Sequence, residues 1–273
     1  MEEKVELTEL QDYVYGIFRE FDRICRKHNL KYTLEGGSLL GAVKYQGFVP
    51  WDDDIDIVMK REEYDKLLKI APQELHSDYF LQTYNNVREF PLNYAKLCYN
   101  KSTIYDYDYT HLKTMNHGIF IDIFPVDNVI PSKMKKQLHL IGLLTGARKT
   151  KLKINFGKTG FIKRVLYKIV SLLPMKTLCN MLNRACTKYN GKETGYCYEV
   201  CNSNSKFAPL PSHIYDNLTE LKFRDGVYMA VSEYDAFLKS RFGENYMDEL
   251  PPEEARKPSH NQNIIIYKDT ENE

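Results

Sequence analysis

Apolar residues recur every three or four positions at Leu7, Leu10, Val14, Ile17, Phe18, Phe21, Ile24 and Cys25, the period of an amphipathic helix ending near Asn29. The period then shortens to two. Tyr32 to Leu34 reads as a short strand running into Gly36-Gly37-Ser38, after which Leu39 to Val43 restarts a helical turn. Ile55 to Met59 is a second strand, and Arg61 to Ile70 a helix stopped at Ala71-Pro72. Tyr79 to Tyr84, Tyr94 to Cys98 and the apolar run Gly118 to Phe124, interrupted only by Asp122, add further strands. Leu218 to Ala230 reads as a hairpin about Asp225-Gly226, and Ser232 with Asp235 offers a capping box for a helix through Phe242. Interleaved strands and helices without an internal repeat predict an α/β or α+β fold, a mixed sheet flanked by helices.

The stretch Glu35 to Met59, EGGSLLGAVKYQGFVPWDDDIDIVM, concentrates the candidate chemistry. A strand that ends in Gly-Gly-Ser and opens a helix directs backbone N–H groups and the positive end of the helix dipole at an incoming anion, so Gly37 and Ser38 suit a phosphate. Asp54 and Asp56, two apart in a strand, face one side and can share a divalent cation. Asp122 stands alone among apolar residues, where an ionised carboxylate is costly unless a shared cation or hydrogen bonds neutralise it. Each feature also has a plainer reading: a simple turn, a solvated acidic loop, a hydrogen-bonded strand acid. The acid run is not an EF-hand, because Ile57 or Met59 stands where that loop needs glycine. Taken together, the turn, the acid pair and the isolated acid form the pattern of a nucleotidyltransferase-type fold.

The chain has 273 residues, 43% of them apolar, enough for one large core. The N-terminal residues are acidic and amphipathic with no secretory pattern, which predicts a cytoplasmic protein, and the six cysteines then read as reduced thiols. Cys179, Cys186, Cys197 and Cys201 fall close together, but their spacing matches no common zinc site and argues against zinc. The net charge of +1 shows no bias toward nucleic acid, yet it conceals an asymmetry. Asn128 to Lys192 holds 15 Lys+Arg and no acid, so the remainder, with 23 basic and 37 acidic residues, carries −14. This predicts a basic, mainly helical insertion over residues 128–205, between a first part of the core (1–127) and a C-terminal part completing it (206–273). Within it, Ile162, Val165, Leu166, Ile169, Val170 and Leu173 keep helical spacing opposite Lys163, Arg164 and Lys168. Such a helix either lies in an anionic membrane interface or rests on the acidic remainder.

The run GGSLLGAVKYQGFVPWDDDIDIVM, with YAKL at Tyr94 to Leu97, GIFIDIFPVD at Gly118 to Asp127 and LPPEEARKPSH at Leu250 to His260, resembles the LicD family of phosphocholine transferases. Fukutin-type ribitol-phosphate transferases share that core. The resemblance covers roughly residues 20 to 260, with no motif between Asn128 and Ser205. It implies a nucleotidyltransferase-like fold and transfer of phosphocholine from CDP-choline, or of a phospho-alcohol from another CDP-linked donor, to a hydroxyl of a surface glycan such as lipopolysaccharide, teichoic acid or capsule. The acceptor would be lipid-linked. By motif matching, Asp54, Asp56 and Asp122 hold Mg²⁺ or Mn²⁺, and Gly37 and Ser38 lie beside the nucleotide phosphates. This chain has Lys44-Tyr45 where the family often shows Arg-His.

In such a mechanism Lys44 and Lys96 are candidate phosphate partners and Asp53, or Asp52, the candidate base. His260 is a further candidate, set against the ordinary reading of a lone histidine. Tyr105 to Tyr109, if extended, would align three tyrosines able to attract a choline ammonium; the alternative is a half-buried edge strand. Two other functions share these residues. One is a metal-dependent glycosyltransferase using a nucleotide sugar through Asp54-x-Asp56, the other a non-catalytic metal-binding adaptor at a membrane.

Overall fold

Helix α1 (Leu7–Lys27) forms where the three-to-four spacing predicts it, burying Leu10, Val14, Ile17, Phe18, Phe21 and Ile24. The computed structural model describes residues 5–106, 108–155, 159–201, 208–248 and 264–266. The chain continues through β1 (Thr33–Leu34), α2 (Gly36–Tyr45), β2 (Asp56–Lys60), α3 (Arg61–Glu74), β3 (Tyr79–Gln82), β4 (Ala95–Tyr99), β5 (Ser102–Ile104) and β6 (Phe120–Asn128). Then come α4 (Pro131–Lys151), α5 (Phe161–Val170), α6 (Met175–Cys186), β7 (Tyr196–Tyr198), β8 (Leu210–Pro211), β9 (Leu218–Phe223), β10 (Gly226–Val231), α7 (Tyr234–Phe242) and β11 (Ile264–Ile266).

The main sheet runs β1-β2-β6-β4-β3, with β7 added at the far end of β6 and β8 on β7. β2 and β6 are parallel and the other pairs antiparallel, so the fold is the expected mixed α/β sheet flanked by helices. β6 is the central strand and is buried over nearly its whole length, which explains its apolar run. Pro125 is tolerated within it because β4 pairs only with Phe120 to Ile123, so the missing N–H falls where that ladder has ended. α1 lies against β4 and β6, and α3 against β2 and β6.

Two apolar clusters result. The larger joins α1, the sheet and the hairpin β9–β10, where Phe18, Tyr32, Phe223 and Tyr228 meet ring against ring. The smaller holds Ile141 and Leu144 of α4 against Leu178 and Leu182 of α6. Between them Asp127, fully buried at the end of β6, receives both arms of the Arg61 guanidinium at 2.8 and 2.7 Å and an amide N–H of Asn190 at 2.6 Å.

The structure corrects four local expectations. α3 runs through Pro72, because a proline in the last turn costs only the bond to the Leu68 carbonyl, and Leu75 N–H closes the turn on Ala71 at 2.9 Å. The hairpin turn is Arg224-Asp225, one residue early, since Gly226 already pairs with Phe223. Arg224 takes a φ of +56°, held by its N–H on the Gln46 carbonyl (2.6 Å) and its guanidinium over Phe48. No capping box forms before α7: Glu233 is the N-cap residue, and Asp235 accepts from Tyr246 (3.0 Å) instead. Finally, Tyr105 to Tyr109 is not an extended strand, because Asp106 draws the chain into a turn through its bonds to the N–H groups of Asp108 and Tyr109; Tyr107 lies outside the described residues.

Candidate active site

Register brings the strand acids together. β2 and β6 pair with Asp56 directly beside Asp122, and β4 and β6 pair with Lys96 opposite Asp122. The Lys96 ammonium lies 2.9 Å from Asp122 Oδ1, with both side chains nearly buried, and over the face of Phe120. Asp122 is therefore neutralised in part by a lysine of this chain.

The acid run folds back onto the start of α2. Its loop is pinned by Gln11 of α1, which donates to the Asp52 carbonyl at 2.8 Å. Gly37 is needed here for close approach: a Cβ at that position would collide with the Asp52 carboxylate, which lies at the positive end of α2. Ser38 is buried and its hydroxyl accepts the Asp56 N–H at 2.9 Å, so it fixes where the strand acids begin. Lys44 is at the other end of α2, about 10 Å along the axis from Gly37, where its ammonium donates to the Tyr246 carbonyl at 3.3 Å. Its backbone is thus at the end of α2 away from Gly37 and the Asp52 carboxylate.

Among the described residues, the carboxylates whose oxygens lie within 4.8 Å of one another are those of Asp52, Asp53 and Asp54, of which Asp53 is buried. This compact group shares Asp54 with the expected Asp54, Asp56 and Asp122; Asp56 and Asp122 adjoin each other in register, and Asp122 is paired with Lys96. The crowding is electrostatically costly. Burial, then the Asp54 and Asp53 charges, push the Asp52 carboxyl up to about 8. Asp56 is raised well above the carboxylate range by burial and by Asp54, Asp122 and Asp52. A set of oxygen donors that repel one another in this way fits a hard divalent cation.

Three residues that sequence reasoning missed support this cluster. Arg241 of α7 reaches Glu35 (3.3 Å) and Glu199 (3.6 Å), and the pair of buried acids is raised by desolvation. Glu35 directly precedes α2 and its N–H bonds the Asp56 carbonyl at 3.0 Å, so its place before Gly-Gly was a usable signal. Glu199 and Arg241 carry no local pattern and meet only through the fold. The cysteines are placed otherwise: Cys197 donates to Asn128 Oδ1 (3.2 Å), Cys201 lies 3.7 Å from the Pro125 carbonyl, and Cys179 and Cys186 sit buried on α6. His260 lies outside the described residues.

Beside the acids a cavity of about 140 Å³ opens, lined among others by Tyr94, Lys96, Asp106, Tyr109, Phe120 and Asp122. Tyr109 is held neutral by burial and the neighbouring Asp106 and Asp108, its phenol pushed up to about 12. The turn at Asp106 thus delivers aromatic and acidic groups to the cavity.

Residues 29–145 match the family described as LicD/FKTN/FKRP, nucleotidyltransferase domain. The chain is 29% identical to the lipopolysaccharide cholinephosphotransferase LicD of Haemophilus influenzae over 96% of its own length and 99% of the relative's. Shorter matches, 42% and 40% identical over 60 residues, link 22% of the chain to 23% and 19% of uncharacterized proteins of Rickettsia prowazekii and Rickettsia typhi.

Proposed function

Because this chain belongs to the LicD family, with residues 29–145 as its nucleotidyltransferase domain, we propose that it transfers phosphocholine from a CDP-linked donor to a hydroxyl of a surface glycan. The observation that carries this reading is the continuity of the acid cluster with the aromatic cavity, to which Lys96 and Asp122 both contribute. A choline headgroup is a permanent cation with no hydrogen-bond donors. Aromatic faces attract it by about 1–2 kcal/mol for each desolvated contact. Tyr94 and Tyr109 supply aromatic rings and Asp106 a carboxylate.

Phosphoryl transfer needs positioning and charge neutralisation more than covalent chemistry. Lys96 would hold the donor phosphate between the cavity and the acids. Asp54, Asp56 and Asp122 are the residues that would hold Mg²⁺ or Mn²⁺, with Asp52 and Asp53 adjoining. When bound, the cation supplies charge stabilisation on the pyrophosphate and the departing CMP. Asp53, or Asp52, is the candidate base for the acceptor hydroxyl's proton, both lying in the loop beside the cation ligands. The acceptor we assign is a lipid-linked glycan, in keeping with the lipopolysaccharide acceptor in the Haemophilus relative's name. The cytoplasm is the assigned compartment, consistent with six free, buried cysteines.

Thermal-shift titration with CDP-choline, CDP-ribitol and UDP-sugars, each with and without Mg²⁺, tests the donor. Stabilisation by CDP-choline that requires the cation is expected. Stabilisation by a UDP-sugar alone would replace this reading with glycosyl transfer.

A further inference from the structure

Helix α5 buries none of its residues. Phe161, Ile162, Val165, Leu166 and Ile169 form one stripe along it, and the stripe is open to solvent: Phe161 is 81% exposed, Ile162 75% and Ile169 58%, with Leu172 just beyond the helix at 80%. A different side touches the rest of the chain. The Tyr167 ring covers Gly146 of α4, and Val170 rests on the α4–α6 cluster. At 3.6 residues per turn, Tyr167 and Val170 point about 140° away from the centre of the apolar stripe. A helix of a globular protein turns such a stripe inward. Here it faces out.

The charge around the stripe says what can cover it. Asn128 to Lys192 carries 15 Lys+Arg and no acid. Among the described residues none of these cations forms an ion pair with a carboxylate. Lys163, Arg164 and Lys168 are exposed, Arg164 and Lys168 on the flank of the stripe and Lys163 on the Tyr167 side lining a groove against α4, so they do not rest on the acidic remainder of the chain. A second copy stacked stripe to stripe would set like charges against each other. An apolar stripe flanked only by cations is complementary to a surface that is apolar beneath and anionic on top.

We propose that α5 and the Leu172-Leu173 turn form a membrane-docking surface that sinks its apolar stripe into the headgroup region of an anionic bilayer. On this proposal the helix lies in the interface: among the described residues no single helix is long and apolar enough to cross a membrane, and the α5–α6 pair, apolar enough in sum, is bent by 114°. α4, against which α5 packs, reaches the neighbourhood of the cavity: His111, two residues after Tyr109, bonds the Leu152 carbonyl just past the end of α4 at 2.8 Å. Docking would hold the cavity near the bilayer surface. This surface does not depend on the transfer chemistry and is tested apart from it.

The test is co-sedimentation with phosphatidylcholine vesicles, with and without phosphatidylglycerol. Wild type is expected to bind the anionic vesicles at least about tenfold better, and less well as salt rises, since each basic residue contributes about fivefold to partitioning. K163E/R164E/K168E should lose more than a hundredfold on that basis. I162N/I169N should lose binding at low and high salt alike while keeping the wild-type melting temperature, both residues being exposed. Equal binding to neutral and anionic vesicles, no binding to either, or wild-type binding by I162N/I169N would each overturn the proposal. So would a solution dimer that I162N/I169N abolishes, which would make the stripe a subunit interface.

Discussion

Replacing Lys96 by Met separates what the buried ion pair does for the fold from what it does for the reaction. Lys96 Nζ and Asp122 Oδ1 are 2.9 Å apart, and each side chain is 9% exposed. At an effective dielectric of about 20 their gross attraction is about 6 kcal/mol. Desolvation offsets much of that when the pair is compared with an apolar one, but removing one partner leaves the other charge buried. In K96M the stranded charge is Asp122, already beside Asp56. The expected loss is about 3–5 kcal/mol by urea unfolding, or roughly 10 °C in melting temperature. K96M/D122N removes both charges and should recover stability to within about 2 kcal/mol of wild type. Turnover, followed as CMP release from CDP-choline, should fall about 10²–10³-fold in K96M, which has no ammonium for the donor phosphate, and further in K96M/D122N, which also loses a carboxylate assigned to the cation. A double variant no more stable than K96M would refute the stranded-charge argument. Turnover of K96M within threefold of wild type would remove Lys96 from the phosphate site.

Three further outcomes are expected. Gly37→Ala drives a methyl into the Asp52 carboxylate and should lower turnover at least tenfold for about 1–3 kcal/mol of stability; full activity would show that the loop moves freely. Asp52, at about 8, keeps its proton in the folded state over a range where the unfolded chain has lost it, so metal-free stability should fall as pH rises from about 4 to 8. D52N should flatten that slope and stabilise the metal-free protein at pH 8 by about 1–2 kcal/mol, an unchanged slope in denaturant melts being the contrary result. Asp127→Ala strands the Arg61 guanidinium and should cost about 3–5 kcal/mol in urea, with turnover intact at temperatures where the variant is folded; a loss below about 1 kcal/mol would mean that the pair is not sealed from water.

Much of the core was legible because its signals are local. The period of α1, the Gly-Gly-Ser turn, the acids at Asp54 and Asp56 and the isolated Asp122 all announce themselves within a few residues. Pairing is not local. That Lys96 faces Asp122 follows from the β4–β6 register, and a slip of β4 by one residue would have turned Lys96 to the face opposite Asp122. The Glu35–Arg241–Glu199 group joins three segments that have no pattern in common. Lys44 looked like a phosphate ligand because the sequence keeps it near Gly37, yet helical geometry carries it to the opposite end of α2. α5 shows the same limit: its periodicity defines an apolar stripe but leaves open which side meets α4, and the Tyr167–Gly146 contact decides that.

The central claim is that the Asp52–Asp56 cluster, Asp122 and the adjoining aromatic cavity move a choline phosphate. The most direct measurement follows labelled choline from CDP-choline into a lipid-linked glycan, with wild type and Asp56→Asn in parallel. The account predicts label in the glycan with one CMP released per choline transferred, dependence on Mg²⁺ or Mn²⁺, and a loss of several orders of magnitude in Asp56→Asn. Label transfer undiminished by Asp56→Asn or by exhaustive chelation would contradict it, as would transfer of a sugar from a nucleotide sugar with CDP-choline left intact.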